Sequence, residues 1–288
     1  MSETAPVTFY VPAYNAGRYL PEVIPGILAQ TVQPQRILII DDGSTDDTAE
    51  IASRYPVELV RQPQNMGLAA GRNRAIEMAE TELIAAIDSD VVLRPTWLAT
   101  MLGAISASPR IAAVTGFLEE RYQSTPADKW RALHMKQNYG PVSMESPGPL
   151  SGSNHILRKA AWAEVGGFNV IHRTHSEDTD ISRRLREKGW GIAYEARARA
   201  EHLRQDTFRS IARAKWGWDY WPKLANGHYQ NRIRVLSDNL RTCRWRLSQH
   251  LARPYLMLVD VAMLWWHTAW DFEKIPAYNA QELTVHHQ

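Results

Sequence analysis

The first part of the chain alternates short apolar runs with segments of helical spacing. Five apolar runs predict strands, at residues 7–11, 36–40, 57–60, 83–87 and 111–117. The runs are continuous rather than alternating, which is typical of a parallel sheet whose two faces are both covered. Residues 67–79 have the spacing of one of the covering helices. The pattern therefore predicts an α/β fold with a mostly parallel, open sheet flanked by helices.

The pattern loosens after residue 120. Residues 139–152 hold three prolines and three glycines and predict a long loop. Beyond the loop we expect strands at 153–157 and 190–194, helices at 159–165 and 177–188, and a mainly helical segment after residue 206. The chain is thus predicted to have one α/β domain over residues 1–205 and a helical extension over residues 206–288.

Cysteine content and hydropathy indicate the compartment. The 288 residues include a single cysteine, Cys243, so the chain has no internal disulfide and suits a reducing compartment. The first residues lack the basic start and long apolar run of a signal peptide. The most apolar late stretch, residues 255–270, is interrupted by Asp260 and His267 and is shorter than a bilayer span. We therefore expect a cytoplasmic protein.

Positive charge is concentrated in the last third of the chain. Residues 204–253 contain eleven Lys or Arg but only three acidic residues, although the whole chain is only +2. Tryptophans are frequent there as well. Such a segment could lie on an anionic membrane surface, bind an acidic acceptor, or pack against the sheet or a partner chain. We do not expect a nucleic-acid partner, because no recognition motif for one is present.

Carboxylates follow two of the predicted strands. Asp41 and Asp42 come after the second strand, and Asp88-Ser89-Asp90 comes after the fourth. Ligands of open α/β sheets bind beyond the carboxyl ends of the strands, so we expect these groups to lie together. Two carboxylates two residues apart can converge on a hard cation such as Mg²⁺ or Mn²⁺. Such tripeptides are common, and on its own this one is more typical of a solvated turn.

Four further side chains have both a chemical and a structural interpretation. Asp42 could accept the N3–H of a uracil or thymine ring, or belong to a helix start. Asp178 could remove a proton from an acceptor hydroxyl, or favour the start of the helix that it opens. His202 could be a third metal ligand or a structural histidine. Arg72 could pair with phosphates or lie on a solvated helix face.

Taken in order, these motifs resemble those of the family 2 glycosyltransferases, which have the GT-A nucleotide-diphospho-sugar transferase fold. The resemblance covers residues 6–205. The matching segments are Val-Pro-Ala-Tyr-Asn at 11–15, Ile-Ile-Asp-Asp-Gly-Ser-Thr-Asp at 39–46, Asn-Met-Gly at 65–67, Gly-Arg-Asn at 71–73, Asp-Ser-Asp at 88–90, Gly-Gly-Phe at 166–168 and Glu-Asp-Thr-Asp at 177–180.

The resemblance implies roles for individual residues. Eight residues would bind the donor nucleotide, and Asp42 among them would hold the base: Pro12, Ala13, Tyr14, Asn15, Asp42, Arg72, Asp88 and Ser89. Asp90 would ligate a divalent metal, with Asp88 and His202 as further ligands. Asp178 would be the catalytic base, and Glu177 would help to position the acceptor. Ser153, Asn154 and Trp216 are expected on the acceptor side.

The resemblance also implies a reaction. An inverting hexosyltransferase would move a sugar from a nucleoside diphosphate donor, expected to be a UDP-sugar, to a hydroxyl acceptor. The acceptor would be a glycan, a lipid-linked sugar or another alcohol, in polysaccharide or glycoconjugate biosynthesis. Mg²⁺ or Mn²⁺ would assist one displacement, and the protein could attach peripherally to the inner membrane face.

Two alternatives remain. A nucleotidyltransferase should carry a Gly-rich, Arg-containing loop after the first strand, where this chain has Pro12-Ala13-Tyr14-Asn15. A non-catalytic sugar-nucleotide-binding or scaffold protein would have no need of Asp88, Asp90 and Asp178.

Overall fold

The computed structural model describes residues 3–145, 147–225 and 232–285. The strands are β1 (Glu3–Ala13), β2 (Val32–Asp41), β3 (Glu58–Arg61), β4 (Leu83–Ile87), β5 (Val91–Leu93), β6 (Ile111–Glu120), β7 (Met144–Glu145), β8 (Asn154–Arg158) and β9 (Gly191–His202). The helices are α1 (Leu20–Leu28), α2 (Thr48–Ala52), α3 (Leu68–Met78), α4 (Trp97–Ser106), α5 (Pro126–His134), α6 (Lys159–Glu164), α7 (Glu177–Glu187), α8 (Phe208–Ala225), α9 (Arg232–Gln249) and α10 (Pro254–Val285).

The chain folds as two compact units. The α/β unit takes in the chain up to Arg121 and then Gln137–Arg204, and so contains the whole sheet. The helical unit takes in Tyr122–Lys136 and the chain from Gln205 onward. Helix α5 therefore belongs with the last three helices, although it precedes β7, β8 and β9 in sequence.

The sheet of the α/β unit is open and mixed. Its strand order is β3-β2-β1-β4-β8-β6-β9-β5, and β7 pairs with β9. Strands β3, β2, β1 and β4 are parallel to one another, and β6 is parallel to β9. Strand β8 enters antiparallel between β4 and β6, and β5 is antiparallel to β9. The predicted α/β fold with an open, helix-flanked sheet is confirmed.

Both faces of this sheet are buried. Phe9 and Val11 of β1 point into a core that includes residues of α1 and α4, while Tyr10 points into a second core with residues of α3 and α7. A strand buried on both faces has no polar side, which explains why the apolar runs were continuous.

Several elements differ from the sequence-based expectation, and strand β7 falls within residues 139–152, which were predicted to be a loop. The predicted strand at 190–194 is longer, because β9 continues to His202. Its second half alternates buried alanines with exposed arginines such as Arg197 and Arg199, which is the period of a half-exposed strand. Strand β5 and helix α5 were not predicted. Helix α5 does carry a sequence signal, since Thr125 and Asp128 form a capping box at its start.

The helical unit is built from α5, α8, α9 and α10. Its core includes Trp130, Ile211, Leu256, Val259 and Met263, all almost fully buried. The prediction of a mainly helical C-terminal segment is confirmed. Within the described part of the chain, no helix combines the length and apolar character that a bilayer crossing requires.

Candidate active site

The carboxyl ends of neighbouring strands carry the predicted donor-site residues. Strands β2, β1 and β4 are parallel neighbours, so their carboxyl ends meet at one edge of the sheet. Asp42 directly follows β2, Asp88 directly follows β4, and Ala13 ends β1. The turn before β8 and the start of α7 also reach this edge. Arg72 contacts both Asp88 and Glu177, and the Gly152 N–H donates to Asp178.

Arg72 ties the end of β4 to the start of α7. Its side chain is 1% exposed, and its Nη2 lies 2.7 Å from Asp88 Oδ1 while its Nε lies 3.1 Å from Glu177 Oε1. The Tyr10 hydroxyl lies 3.4 Å from Nη1. Arg72 is therefore not on a solvated helix face. A buried guanidinium requires such partners, and its fixed fork of donors holds both carboxyl groups in defined positions.

Asp178 is held at the first turn of α7. The Gly152 N–H donates to Asp178 Oδ2 at 2.9 Å, and the Thr179 N–H donates to Oδ1 at 2.7 Å. A Cβ at position 152 would lie 3.0 Å from Glu177 Oε1 and 3.2 Å from Asp178 Oδ2, so glycine permits this close approach of the backbone. Ser176, immediately before the helix, has a φ of 74°. A left-handed serine next to a candidate base is backbone strain at the site.

Glu177 and Asp178 have different surroundings. Glu177 is 3% exposed, whereas Asp178 is half-buried. Burial, together with the charge of Asp178, raises the pKa of Glu177 to about 8, although Arg72 acts in the opposite direction. Glu177 therefore keeps its proton near neutral pH and is the weaker of the two as a proton acceptor.

Asp90 and His202 meet beside this cluster. His202 Nε2 lies 3.3 Å from Asp90 Oδ2, and the Leu203 N–H donates to the Asp90 carbonyl at 2.8 Å. The expectation that His202 follows a strand ending near residue 194 is wrong, because His202 is the last residue of β9 and pairs with Val91 of β5. Burial disfavours the imidazolium, but Asp90 and Glu120 outweigh it and raise the pKa of His202 to about 9.

The side chains of Asp90 and His202 can provide part of the coordination shell that a divalent cation needs. A carboxylate suits Mg²⁺ or Mn²⁺, and Mn²⁺ also accepts an imidazole; either ion completes its shell with water or phosphate oxygens. Asp88, the third predicted ligand, has Oδ1 engaged by Arg72. Among the residues with described positions, no group of three or more His, Cys, Asp or Glu side chains is gathered tightly enough to hold a metal. Asp90 and His202 would therefore supply two of the ligands in the coordination shell of a divalent cation.

The predicted base pocket lies at the ends of β1 and β2. The Asp42 N–H donates to the Ala13 carbonyl at 2.8 Å, and Pro12 pairs in register with Ile40. Tyr14 is 49% exposed, which leaves its ring available to a ligand. Asn15 has a φ of 50°, and its side-chain oxygen accepts from the Thr45 N–H at 2.9 Å.

Asp42 is more heavily engaged than its predicted role requires. Its carboxylate accepts hydrogen bonds from Gln62, from the Met66 N–H at 2.7 Å and from the Gly67 N–H at 2.8 Å. These bonds fix the loop that leads into α3. Asp42 thus stabilises the loop before α3, and its direct contact with a base stays a prediction.

The remaining predicted residues lie in different parts of the structure. Ser89 lies in the turn between β4 and β5, and the Ser153 carbonyl accepts from the Asp88 N–H at 3.1 Å. Asn154 is fully buried, and its side-chain oxygen accepts from the Trp97 indole at 2.7 Å. Trp216 lies in α8 of the helical unit, where its indole donates to Asp271 at 2.7 Å. The acceptor contacts of Asn154 and Trp216 stay predictions.

The sequence alone assigns no role to Tyr10 or Glu120, and it indicates Gly152 only as part of a small-residue turn expected beside the donor sugar. Tyr10 and Glu120 sit within strands, and nothing in their spacing distinguishes them from ordinary strand residues. Gly152 did carry a signal, since it stands in the small-residue turn Ser151-Gly152-Ser153.

Comparison with known proteins places the chain in context. A model of glycosyl transferase family 2 matches residues 8–179. Among curated proteins, the poly-beta-1,6-N-acetyl-D-glucosamine synthase of Staphylococcus aureus (strain COL) is 23% identical over 276 residues. That match covers 92% of this chain and 63% of the relative, so the chain spans less than two thirds of the relative's length.

Two solved structures show a similar fold. One is Staphylococcus aureus TarS 1–349 in complex with UDP-GlcNAc, with a TM-score of 0.55, 17% identity and coverage of 72% of this chain and 65% of that one. The other is the mannosyltransferase PcManGT from Pyrobaculum calidifontis with GDP-Man and Mn²⁺, with a TM-score of 0.55, 18% identity and coverage of 96% and 75%. At these identities the likeness concerns the fold, and it confirms the predicted GT-A architecture.

Proposed function

The chain belongs to glycosyl transferase family 2, and on this premise we propose that it transfers a sugar from a nucleoside diphosphate to an acceptor hydroxyl in one inverting displacement. The family and enzyme class predicted from the sequence are confirmed. The observation that carries the proposal is the Arg72 bridge, which holds Asp88 and Glu177 at 2.7 and 3.1 Å. It joins the nucleotide edge of the sheet to the helix that presents Asp178.

The donor that we propose is a UDP-sugar, with UDP-GlcNAc the first to test. Support comes from the S. aureus relative, named as a poly-beta-1,6-N-acetyl-D-glucosamine synthase, and from TarS, solved with UDP-GlcNAc. PcManGT, solved with GDP-Man, makes GDP-mannose the second donor to test.

Each residue at the edge of the sheet has a part in the proposed reaction. Pro12, Ala13, Tyr14 and Asn15 line the base and ribose pocket, and Asp42 lies next to them, since its N–H donates to the Ala13 carbonyl. Asp90 and His202 would hold the divalent cation, which offsets the negative charge that builds on the leaving diphosphate. Arg72 fixes Asp88 and Glu177, and Ser89 lies in the same turn as Asp88.

Asp178 is the proposed base. It takes the proton of the acceptor hydroxyl as that oxygen attacks the anomeric carbon from the side opposite the leaving group. The Gly152 N–H at 2.9 Å orients its carboxylate, and the neighbouring Glu177, still protonated, is able to donate a hydrogen bond to the acceptor. Ser153, proposed on the acceptor side, directly follows Gly152, and its carbonyl accepts from the Asp88 N–H.

A donor-hydrolysis and transfer assay tests this function. Purified protein is incubated with Mn²⁺ and UDP-GlcNAc, UDP-glucose or GDP-mannose, and nucleoside diphosphate release is measured with and without short glycan acceptors. We expect release from one UDP-sugar, increased by an acceptor. Binding of a sugar nucleotide without release from any donor would favour the scaffold alternative. Pyrophosphate release from UTP and a sugar phosphate would favour a nucleotidyltransferase.

For the acceptor we propose a glycan or a lipid-linked sugar at an anionic membrane surface on the cytoplasmic side. The helical unit exposes Leu258, Val261 and Trp265 of α10, which are three and four residues apart and so share one face. Exposed Arg241 and Arg244 of α9 supply positive charge in the same unit. Apolar and basic groups exposed together suit the surface of an anionic bilayer.

Vesicle flotation tests this attachment. We expect the protein to float with anionic vesicles and to float less in high salt. A Trp265→Ser variant should float less at any salt concentration. Absence from both anionic and neutral lipid fractions would contradict the membrane proposal and leave the transfer reaction untouched.

A further inference from the structure

Glu120 and His202 face each other at the end of two parallel strands. They are paired in register on β6 and β9, and Glu120 Oε2 lies 2.8 Å from His202 Nδ1. Both side chains are buried, with exposures of 8% and 6%. The other ring nitrogen of His202, Nε2, faces Asp90 at 3.3 Å. The imidazole is thus held between two carboxylates that contact different nitrogens.

An irregularity in strand pairing creates this arrangement. Gly116 pairs with Glu195, but the next residue, Phe117, pairs with Arg199, so three residues of β9 are passed over. Without that shift, Arg199 would stand opposite Glu120. Such irregularities re-aim side chains near functional sites. Here the shift brings His202 opposite a buried carboxylate and next to β5, the strand that follows Asp90.

The geometry matches a known device of metal sites. A metal-ligating histidine usually donates its second ring N–H to a carboxylate, which fixes the tautomer and the ring orientation and makes the ligand more basic. A hydrogen bond from Nδ1–H to Glu120 leaves Nε2 to bind a cation on the Asp90 side once this nitrogen has released its proton. Loss of such a partner typically lowers metal affinity by about 10- to 100-fold.

We propose that Glu120 is a positioning residue that orients His202 toward Asp90 and so sets the affinity of the site for its divalent cation. The inference rests on the metal ligands of the proposed function. Glu120 itself does not touch the cation or the substrate. Its neighbour Glu119 provides a matched control, because its side chain is 40% exposed and its nearest cationic group, in Arg199, lies at 3.9 Å.

Mn²⁺ binding, measured by electron paramagnetic resonance in the presence of UDP, tests the proposal without an activity readout. We expect the Kd for Mn²⁺ to rise about 10- to 100-fold in Glu120→Leu and by a smaller factor in Glu120→Gln, which keeps an acceptor but loses the charge. Glu119→Gln should bind like the wild type. Binding of UDP without metal should be equal in all four proteins, which a merely unfolded variant could not match.

The ring itself gives a second readout. Nitrogen chemical shifts of His202 should show a hydrogen-bonded Nδ1–H in the wild type with Mg²⁺, and a change of this signal in Glu120→Leu. If Glu120→Leu does not fold, Glu120→Gln carries the test.

The possible outcomes distinguish a failure of the proposed role of Glu120 from a failure of the proposed transferase function. Wild-type Mn²⁺ binding with unchanged affinity in both Glu120 variants would overturn the role of Glu120 and leave the transferase proposal intact. Absence of Mn²⁺ binding by the wild type would overturn the metal ligands and this inference together. Sugar transfer that persists in a chelator would then still support the transferase.

Discussion

Both units of the protein bury clusters of ionisable side chains, but the two kinds of cluster differ. In the helical unit, Asp260 accepts from the Trp130 indole at 2.9 Å and contacts His250, and the side chains of His250 and Asp260 are both 0% exposed. In the α/β unit, Arg72 is equally buried, but its partner Asp88 is 34% exposed. The His250–Asp260 pair is thus buried at both side chains, whereas the Arg72–Asp88 pair is partly exposed at Asp88.

The surrounding backbone differs as well. Trp130 and Asp260 of the helical cluster lie within helices and His250 directly follows α9, whereas the α/β cluster lies where strands end and beside Ser176 in a left-handed conformation. Partial exposure allows a substrate to reach the reacting groups, and strained backbone is often found at active sites. Buried charge alone therefore does not identify the active site in this molecule, and each unit can be tested separately.

The largest effect is expected at Asp178. Asp178→Asn removes the proposed base while keeping its shape, so turnover should fall by about 10²- to 10⁴-fold with unchanged UDP affinity. Nucleoside diphosphate release and UDP titration measure the two quantities. Asp180→Asn is the matched control on the same helix, because Asp180 pairs with Arg183 and Arg184 instead. Equal turnover in Asp178→Asn and wild type would remove Asp178 from the role.

A substitution in the helical cluster should act on stability. Asp260→Leu leaves His250 and the Trp130 indole buried without their acceptor, and breaking such a pair costs about 3 kcal/mol of unfolding free energy. Urea denaturation measures the loss, and the exposed Asp238→Asn on α9 serves as control. Turnover per folded molecule should stay within about twofold of the wild type. A fall comparable to that of Asp178→Asn would place chemistry in the helical unit.

The pH dependence of the unfolding free energy should reveal the raised pKa of Glu177. Its pKa rises from 4.5 to about 8 on folding, so the folded state binds a proton that the unfolded state releases. Stability from this group is therefore fully present below pH 4.5 and is lost as the pH rises toward 8. Glu177→Gln removes the titration, so the stability of the variant relative to wild type should increase from pH 5 to pH 9. Parallel denaturation curves across that range would contradict the raised pKa.

The smallest effect is expected from backbone strain. Ser176→Gly relieves a left-handed serine, which costs about 1 kcal/mol, although the added freedom of the unfolded chain cancels part of the gain. The net change in unfolding free energy should stay below about 1 kcal/mol, with a modest fall in turnover as Asp178 loosens. At the other end of α7, Gly189→Ser should be destabilising, since Gly189 has a φ of 78°. Thermal denaturation of Ser176→Gly and Gly189→Ser should therefore show changes in stability of opposite sign.

The sequence predicted the α/β unit well where buried strands precede acidic turns. The strand at 83–87 matches β4, and the turn after it carries the carboxylates that Arg72 and His202 contact. Strand pairing is harder to predict from the sequence. The register shift opposite Phe117 and the antiparallel insertion of β8 depend on contacts between strands that are far apart in the chain. The role of Glu120 follows from that register and leaves no local signal. Asp42 shows the same limit, since its hydrogen bonds reach Met66 and Gly67 far along the chain.

Calorimetric titration of UDP with and without Mn²⁺, on wild type and on Asp90→Ala, tests the central claim most directly. The claim is that strand ends and α7 form one site, with Asp90 and His202 beside the nucleotide and Asp178 available to the acceptor. We predict that Mn²⁺ increases the affinity of the wild type for UDP at least tenfold, and that Asp90→Ala loses this increase while remaining folded. Equal UDP affinity with and without Mn²⁺ in the wild type would contradict the account.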